Sequence, residues 1–439
     1  MKDTPINYEI VSKKIKESRI EKIGTASIRE LKKLVDDIEK STGERFVRME
    51  MGIPGLPAAE IGINAEIEAM RKGIANTYPD IQGIPQLKTE ASRFVKLFLN
   101  IDVDPEGCIP TVGSMQGSFA SFLITSRMNA RQDTILFLDP GFPVHKQQLK
   151  VLGQKFETFD VYDFRGDKLK AKIESYLSKG NIAAMLYSNP NNPSWICFTE
   201  KELKIIAELA DKYSVVVLED LAYVAMDFRK DLYHPGKPPY QATAARYTDN
   251  YILFISSSKA FSYAGQRIGL LIMSDKLYEK KCPDLKRYYT TDIFGRAMIF
   301  GTVYPLSAGV THSVQYAFAA MLKAANDNKF NFVEIVKEYG EKAKIMKKLF
   351  TDNGFYIVYD KDENDPIADG FYFTYAYPDF SGEKLLEEML YYGISAISLA
   401  ITGSQRLEGI RACVSLVQRD QFPDLENRLK KFHEDHRPN

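Results

Sequence analysis

The feature that most constrains the fold of this chain is an alternation of short apolar runs with helical patterns. It extends from about residue 58 to about residue 304. The apolar runs, which we interpret as strands, are residues 108–112, 134–138, 183–187, 215–218, 251–255 and 269–273. Helical patterns such as residues 117–130 and 200–213 lie between most of these runs. Strands that alternate with helices predict a mostly parallel α/β sheet.

The two ends of the chain predict a second, smaller domain. Residues 6–40 are charged and have apolar residues at helical spacing. From about residue 310 the pattern is a long helix, then strand-like runs at 371–375 and 409–414 with a helix at 383–391 between them. A chain of 439 residues is too long for one simple core. We therefore predict a large domain at 58–305 and a small α+β domain made from 1–57 and 306–439.

The composition narrows the class of protein. Hydrophobic residues make up 45% and charged residues 26% of the chain, as in ordinary globular proteins. Lys plus Arg and Asp plus Glu each number 58, and this zero net charge argues against a nucleic-acid partner. The longest uncharged stretch, residues 297–322, is interrupted by Pro305, His312 and Gln315, so it predicts buried structure and no membrane span.

Targeting and cysteine signals favour the cytoplasm. Residues 1–5 contain no apolar core of a signal peptide. The four cysteines are widely spaced and form no CxxC motif, a pattern that fits a reducing compartment and predicts no metal site.

A lysine and an arginine follow the apolar run 251–255. Lys259 lies just beyond this run, where it is held in place and partly desolvated, which lowers the pKa of an amine and frees it for Schiff-base chemistry. Arg267 lies one short loop further on and offers a fixed fork for a phosphate. Polar residues at the carboxyl ends of strands mark the ligand site of an open α/β sheet. An amine beside a phosphate clamp predicts a phosphorylated aldehyde cofactor, pyridoxal phosphate (PLP).

Asp220 supplies a carboxylate at the end of the run 215–218. Paired with a protonated pyridine nitrogen, it makes the ring an electron sink that stabilises a carbanion. The alternative is a helix cap or an ordinary loop carboxylate. Tyr223 follows three residues later and either bonds the phenolic oxygen of the ring or packs as a buried aromatic.

Three further loops follow predicted strands. The sequence Ser-Asn-Pro-Asn-Asn-Pro at 188–193 fixes a tight loop and aims an amide side chain, or is a plain turn. Residues 113–117 open an apolar helix, whose first N–H groups form an anion site, although a glycine turn also explains them. Phe142, in the loop at 139–143, either stacks on a flat ring or packs in the core.

Arg411 lies in the strand-like run 409–414 of the predicted small domain. A buried charge is costly unless it is paired, so this arginine needs an anionic partner. The carboxylate of a substrate, held by two hydrogen bonds, is one such partner. An internal Asp or Glu is the alternative.

These motifs together resemble the class I/II aminotransferases of the fold-type I PLP family. The pattern Ser-x-x-Lys-x-Phe-x-x-x-Gly-x-Arg-x-Gly occurs at 256–269, Asn-Pro-x-Asn-Pro at 189–193, and Asp-x-x-Tyr at 220–223. The resemblance extends over roughly residues 45–420. It implies a large domain with a mostly parallel sheet flanked by helices, a smaller α+β domain, and ping-pong transfer of an amino group between an amino acid and a 2-oxo acid in amino acid metabolism.

The resemblance also implies roles for single residues. Lys259 forms the Schiff base and moves the proton, while Asp220 and Tyr223 complete the catalytic set. The residues implied to bind the cofactor are Tyr78, Ser114, Met115, Gln116, Phe142, Asn192, Asp220, Tyr223, Ser256, Lys259 and Arg267. Those implied to bind the substrate are Gly52, Asn192 and Arg411. Tyr78 resembles the tyrosine that family members extend to the phosphate of a neighbouring subunit, which implies a homodimer.

The chain departs from the family pattern in a few places. Phe142 stands where many members have Tyr or Trp, and Met115 is unusual in its turn. A second arginine for a distal carboxylate has one nearby candidate, Arg296, which aligns loosely and is otherwise a surface or structural arginine. Specificity for a dicarboxylate is therefore unsupported, and the amino donor and acceptor stay open.

Three alternatives to a transaminase use the same residues. A PLP-dependent carbon–sulfur β-lyase or a cyclase removes the same α-proton and differs in what leaves next. A PLP-binding transcriptional regulator normally has a DNA-binding domain before this fold, and neither the short N-terminal segment nor the zero net charge favours it. A catalytically inactive scaffold conflicts with the intact set of cofactor contacts.

Overall fold

The computed structural model describes residues 3–437, and every apolar run that was interpreted as a strand is a strand in it. In chain order the strands are β1 (Val47–Arg48), β2 (Cys108–Thr111), β3 (Thr134–Asp139), β4 (Lys155–Asp160), β5 (Ile182–Ser188), β6 (Val216–Leu221), β7 (Tyr251–Ser256), β8 (Gly269–Met273), β9 (Tyr356–Ile357), β10 (Lys361–Asp362), β11 (Asp365–Pro366), β12 (Tyr372–Ala376), β13 (Ile394–Ser395), β14 (Ile397–Ser398) and β15 (Ile410–Cys413). All six predicted strands of the alternating region are present. The edge strand β4 was not predicted.

The helices are α1 (Tyr8–Ser18), α2 (Ile28–Thr42), α3 (Glu60–Arg71), α4 (Pro85–Leu99), α5 (Gly113–Thr125), α6 (Pro143–Leu152), α7 (Lys168–Leu177), α8 (Glu200–Tyr213), α9 (Ser257–Ala260), α10 (Asp275–Tyr278), α11 (Phe294–Arg296), α12 (Tyr304–Ser307), α13 (His312–Asn326), α14 (Phe332–Asp352), α15 (Gly382–Tyr391) and α16 (Phe422–His436). Helix α8 begins where a capping box between Thr199 and Glu202 satisfies its first N–H groups. Helix α5 begins four residues earlier than predicted. None of the helices in residues 3–437 is both long and apolar enough to cross a membrane.

Two compact units are present. The large unit comprises Leu56–Asn191 and Cys197–Val336, and it contains a seven-stranded sheet in the order β2-β8-β7-β6-β5-β3-β4. All neighbouring strands are parallel except that β8 is antiparallel to both β2 and β7. The inner strands are buried along their whole length, which explains their continuous apolar sequences.

The small unit comprises the described residues up to Gly55, the short stretch Asn192–Ile196, and the described residues from Lys337 on. Its main sheet is antiparallel and has the order β14-β15-β12-β9. The N-terminal strand β1 pairs with β13 in parallel, and the backbone N–H of Cys413 in β15 donates to the carbonyl of Met49 at 2.9 Å.

The boundary between the units differs from the predicted division at residue 305. The large unit continues to Val336, because helix α13 packs against α3 and α4 of that unit. The periodicity of a helix shows that it has an apolar face but not which element covers that face. Residues 192–196 were also predicted to belong to the large domain, and they belong to the small unit.

Candidate active site

Lys259 lies one turn beyond the carboxyl end of β7. The backbone there is held by two hydrogen bonds to the carbonyl of Ile268, from the amide of Ser257 at 3.3 Å and from its Oγ at 2.7 Å. Ser256 Oγ accepts a hydrogen bond from the amide of Ser258 at 3.1 Å and caps the short helix α9. The side chain of Lys259 is half-buried. Its position is therefore set by a buried strand and a tightly bonded turn.

Asp220 lies on β6, the strand next to β7, with its carboxylate buried. Burial raises the pKa of Asp220 to about 6, although the amide of Ala222, which donates to Oδ1 at 3.1 Å, and the charge of Lys259 both lower it. The charge of Lys259 acts on the Asp220 carboxyl, so the two side chains lie near each other. A buried carboxylate with a single backbone donor is suited to pair with a cation.

His145 is a site residue that sequence reasoning missed. It lies on α6, and its Nε2 is 4.0 Å from Asp220 Oδ2. Burial, assisted by the nearby charge of Lys146, lowers the pKa of His145 to about 4, so the ring is neutral near pH 7. The ring meets Phe142 edge to face with centroids 5.5 Å apart. Its place three residues after Phe142, in a helix that follows a strand end, is the only sequence signal for it.

The start of helix α5 and the turn after α9 form a cradle for an anion. Gly113 begins α5 with φ of 64°, and a side chain there would collide with the guanidinium of Arg267. A Cβ on Gly269 would lie 2.9 Å from the amide of Ser114, so these two backbones are also in close contact. Ser256 is the partner of Gly269 across the sheet. The first amides of α5, Arg267 and Ser256 thus lie close together.

The side chain of Gln116 is used within the cradle itself. Its Oε1 accepts a hydrogen bond from the amide of Val112 at 2.8 Å, and its Nε2 donates to Ser307 Oγ at 2.7 Å. The carbonyl of Met115 accepts from Gln148 Nε2 at 2.8 Å. The side-chain amide of Gln116 therefore closes the first turn of α5, and the N–H groups at that helix start that have no intrahelical partner are those of its first residues, Gly113, Ser114 and Met115.

The loop at 188–193 is fixed by two of its three asparagines. Asn189 Nδ2 donates to the carbonyl of Ala242 at 3.1 Å. Asn191 Nδ2 donates to the carbonyl of Pro140 at 2.8 Å and so joins this loop to the loop that carries Phe142. Phe142 is half-buried, whereas Tyr223, in the turn after β6, is buried.

Arg411 of the small unit is buried on β15 with 1% of its surface exposed. Its Nη2 donates to the carbonyl of Glu50 at 2.6 Å, and its Nη1 donates to Asn192 Oδ1 at 3.3 Å. Among residues 3–437 it forms no ion pair, so the internal Asp or Glu that the sequence left open is absent there. A buried guanidinium with only neutral acceptors is suited to pair with an external carboxylate.

Gly52 lies in the same unit, in the segment that follows β1. A Cβ on Gly52 would collide with the hydroxyl of Tyr372. The ring of Tyr372 lies under the guanidinium of Arg411, with Cζ 4.5 Å from the ring centroid. Sequence reasoning missed Tyr372, because nothing in an apolar strand indicates which aromatic faces an arginine.

Two other candidates lie on the surface of the large unit. Tyr78 is 88% exposed. Arg296 is exposed on α11 and lines a cavity of about 280 Å³ with Tyr289 and Phe300. Neither residue is brought to the cradle by contacts within the described part of this chain.

A sequence model of the family "Aminotransferase class I and II" matches residues 55–364. The chain belongs to this family. Among solved structures, this aminotransferase is similar to the aspartate aminotransferase of Thermotoga maritima, with a TM-score of 0.75 over 96% of this chain and 99% of the other, at 17% identity. It is equally similar to the alanine aminotransferase of Pyrococcus furiosus, with a TM-score of 0.75, 18% identity and coverage of 93% and 97%. These likenesses establish the aspartate aminotransferase-like fold.

Relatives found by sequence share more identity with this aminotransferase than those structures do, but over less of the chain. It is 25% identical over 327 residues to the LL-diaminopimelate aminotransferase of Natranaerobius thermophilus, covering 74% of this chain and 76% of the relative. A protein of Methanocaldococcus jannaschii named "Probable aspartate aminotransferase" is 27% identical over 260 residues, which span 59% of this chain and 64% of that protein. An S-alkyl-thiohydroximate lyase of Arabidopsis thaliana is 25% identical over 247 residues, 55% of this chain and 51% of the lyase.

Enzymes of this family depend on PLP, and the residues of the large unit fit that group. The cradle of α5 amides and Arg267 is cationic and suits a phosphate, since Gly113 leaves room for the guanidinium. The buried carboxylate of Asp220, facing Lys259, suits a protonated ring nitrogen beside a reactive amine. The donor set therefore agrees with the cofactor that the family requires.

Proposed function

We propose that this enzyme transfers an amino group between an amino acid and a 2-oxo acid by a ping-pong mechanism. The observation that carries the proposal is the placement of Lys259 and Asp220 at the carboxyl ends of adjacent strands, in the same unit as the anion cradle. When bound, PLP supplies an electron sink for the charge that develops at the substrate α-carbon.

Lys259 would hold the cofactor through its amine, and the same amine, when free, would act as the base for the α-proton of the substrate. A lysine held by a bonded turn returns to the same place after displacement, which is required of a general base that acts twice in a cycle. The Ser257–Ile268 hydrogen bonds support this role because they fix the backbone next to Lys259.

Asp220 would pair with the ring nitrogen of the cofactor and keep it protonated. Its pKa of about 6 means that it is ionised above that pH, even before a cation is bound. His145 lies beside it as a neutral ring and so does not neutralise the carboxylate. Tyr223 and Asn192 are proposed to bond the ring oxygen, and Phe142 to stack on the ring.

Ser256, Arg267 and the backbone at Ser114, Met115 and Gln116 are proposed to hold the phosphate. Tyr78 is proposed to reach the phosphate of a neighbouring copy in a homodimer. Its exposure of 88% supports this, since an aromatic side chain on a surface is free to enter a partner.

Arg411, with Gly52 and Asn192, is proposed to bind the α-carboxylate of the substrate. The absence of an ion pair to Arg411 among residues 3–437 supports this role. The names of the relatives point to different amino acids, namely aspartate, alanine and LL-diaminopimelate, so they support the reaction and do not select a donor. We also propose a cytoplasmic location, which the four buried free thiols support.

A carbon–sulfur lyase is the second candidate, favoured by one observation, the similarity to the S-alkyl-thiohydroximate lyase. A lyase also uses a lysine base and a carboxylate opposite the ring nitrogen. It differs from a transaminase in releasing ammonia and a 2-oxo acid without needing an acceptor.

The test is a half-reaction assay on the purified holoenzyme. A panel of amino acids is added singly while the visible absorption of the bound cofactor is recorded, and a 2-oxo acid is then added. We expect one class of amino acid to bleach the band and the oxo acid to restore it, with parallel lines in a double-reciprocal plot. Ammonia released without an acceptor would instead establish the lyase, and no bleaching by any amino acid would overturn both.

A further inference from the structure

Trp195 has a backbone conformation that a bulky residue rarely adopts. Its φ is 65°, in the left-handed region, although its side chain is fully buried with 0% exposed. A large side chain held at positive φ is an outlier that the surrounding structure must over-determine, and such outliers concentrate at functional sites. Trp195 lies three residues after Asn192, in the short stretch that belongs to the small unit.

A glycine makes the space that the indole occupies. A Cβ on Gly370 would collide with the indole ring of Trp195 at its Cε2, Nε1 and Cζ2 atoms. Gly370 stands two residues before Tyr372, which is the first residue of β12. The indole is therefore packed directly against the backbone from which Tyr372 extends.

The rings of Trp195 and Tyr372 pack edge to face. Their centroids are 6.2 Å apart and their planes meet at 65°. Two other neighbours also restrict the position of the Tyr372 ring. Its hydroxyl lies in the space that a Cβ on Gly52 would fill, and the guanidinium Cζ of Arg411 lies over the ring, 4.5 Å from its centroid. The ring has contacts on its edge, at its hydroxyl and on its face.

The guanidinium of Arg411 is fixed in the same way. Its Nη2 and Nη1 are bonded to Glu50 and Asn192, and its plane rests on Tyr372, while its Nε has no hydrogen-bond partner among residues 3–437. A guanidinium recognises a carboxylate through two parallel hydrogen bonds, so its orientation decides how well it binds.

We propose that Trp195 and Tyr372 are positioning residues that hold Arg411 as a preorganised receptor for the α-carboxylate of the substrate. This inference rests on the proposed function and names what gives it selectivity for amino acids over simple amines. Neither aromatic residue takes part in proton transfer. Their removal loosens the guanidinium and therefore weakens carboxylate binding while the chemistry at Lys259 continues.

The first test uses the fact that Trp195 is the only tryptophan of the chain. Propanoate and propanamide, which have the same shape and differ in charge, are titrated into the holoenzyme while tryptophan fluorescence is recorded. We expect a saturable change with propanoate that is much weaker with propanamide and is lost in Arg411→Gln. If the wild-type enzyme binds both equally, Arg411 is no carboxylate receptor and the proposed substrate site fails with this inference.

The second test separates positioning from binding. Tyr372→Leu removes the ring, whereas Tyr372→Phe keeps it and loses only the hydroxyl. We expect Tyr372→Leu to bind propanoate about tenfold more weakly by calorimetry, with propanamide unchanged, while Tyr372→Phe stays within about twofold of the wild type. With the best amino acid, KM rises in Tyr372→Leu and kcat is retained.

Gly370→Ala and Trp195→Gly test the indole itself. The first pushes the indole by adding a methyl group, and the second removes it while relieving the positive φ. We expect both to lower the preference for propanoate over propanamide, with the absorption band of the cofactor retained. If Trp195→Gly does not fold, the preference for propanoate measured in Gly370→Ala alone tests the role of the indole. A wild-type preference that persists in both Tyr372→Leu and Gly370→Ala overturns the inference and leaves the proposed function standing.

Discussion

Two neighbouring carboxylates lie on the two faces of the central sheet of the large unit, and they differ in the hydrogen-bond donors around them. Glu219 and Asp220 are neighbours on β6 and point to opposite faces, because side chains alternate along a strand. Burial raises the pKa of both, to about 7 for Glu219 and about 6 for Asp220. On its face Glu219 accepts hydrogen bonds from Thr243 Oγ1 at 2.6 Å and from the amide of Ala244 at 3.2 Å. Asp220 accepts one from the amide of Ala222 and faces Lys259.

The difference shows how a strand separates a structural carboxylate from a functional one. The hydrogen bonds of Glu219 tie β6 to the turn at Thr243, and its carboxyl also attracts the side chain of Asn189. Asp220 has fewer protein donors, so its charge remains available to a bound cation. The number and kind of donors around a buried carboxyl, more than its burial, distinguish the two.

The largest effect is expected on the Asp220 face at Lys259. Lys259→Ala removes both the amine that bonds the cofactor and the base, so turnover should fall by at least about 10⁴-fold, the upper range for one positioned proton-transfer group. Steady-state turnover and the visible band of the cofactor measure this. Lys276→Ala, which alters an exposed lysine of the same unit, is the control and should behave as the wild type. Retained turnover in Lys259→Ala would remove the proposed base.

The carboxylates themselves form a matched pair of substitutions. Asp220→Asn cannot hold a proton on the ring nitrogen, and kcat should fall by about 10²–10⁴-fold. Glu219→Gln keeps the shape and most hydrogen bonds of the other face, and kcat should stay within about threefold of the wild type. Equal losses in the two variants would erase the distinction between the faces.

The pH dependence of stability should reveal Glu219. A carboxyl whose folded pKa is raised from 4.5 to about 7 is protonated in the folded state and ionised in the unfolded state between those values. Its contribution to stability is therefore full at low pH and is lost as the pH rises toward 7, by up to about 3 kcal/mol. Glu219→Gln stays neutral, so its melting temperature should fall less between pH 5 and pH 8 than that of the wild type. Identical slopes would show that Glu219 is not protonated in the fold.

His145 should give the smallest effect. His145→Phe removes a neutral ring that lies 4.0 Å from Asp220, a distance longer than a hydrogen bond, so kcat should fall by less than about tenfold. The acidic limb of the pH–rate profile should move, since the surroundings of Asp220 change. A loss as large as that of Asp220→Asn would place His145 in the chemistry itself.

Residues whose signal is local were predictable from the sequence. The inner strands of the sheet are continuous apolar runs, because both of their faces are buried. Lys259 and Asp220 follow such runs directly, so their places at the carboxyl ends of strands were predictable as well. The sequence does not distinguish Asp220 from Glu219 by burial, but the family pattern Asp-x-x-Tyr assigns the cofactor carboxylate to Asp220.

Features that depend on distant parts of the chain were not predictable. Strand β4 is at the edge of the sheet and its first residues are exposed or half-buried, so it has no apolar run. His145 reaches Asp220 only through the packing of α6, and Tyr372 meets Arg411 only through the pairing of β12 with β15. The space that Gly370 leaves for Trp195 joins residues 175 positions apart in the sequence.

The small unit is assembled from three separate stretches of chain, and this has a consequence for biosynthesis. Strand β1 pairs with β13, and about 280 residues lie between Gly55 and Lys337. At a ribosomal rate of about 5–20 residues per second, synthesis of these residues takes about 14–56 s. The N-terminal stretch is without its partners in the small unit during that time. Residues 192–196 are also synthesised before their partners, since the large unit, which flanks them in the sequence, ends at Val336 and the rest of the small unit follows it. The apolar face of the amphipathic helix α2 therefore lacks its late-synthesised partners for most of synthesis, which makes the nascent chain a candidate for chaperones that bind early in translation.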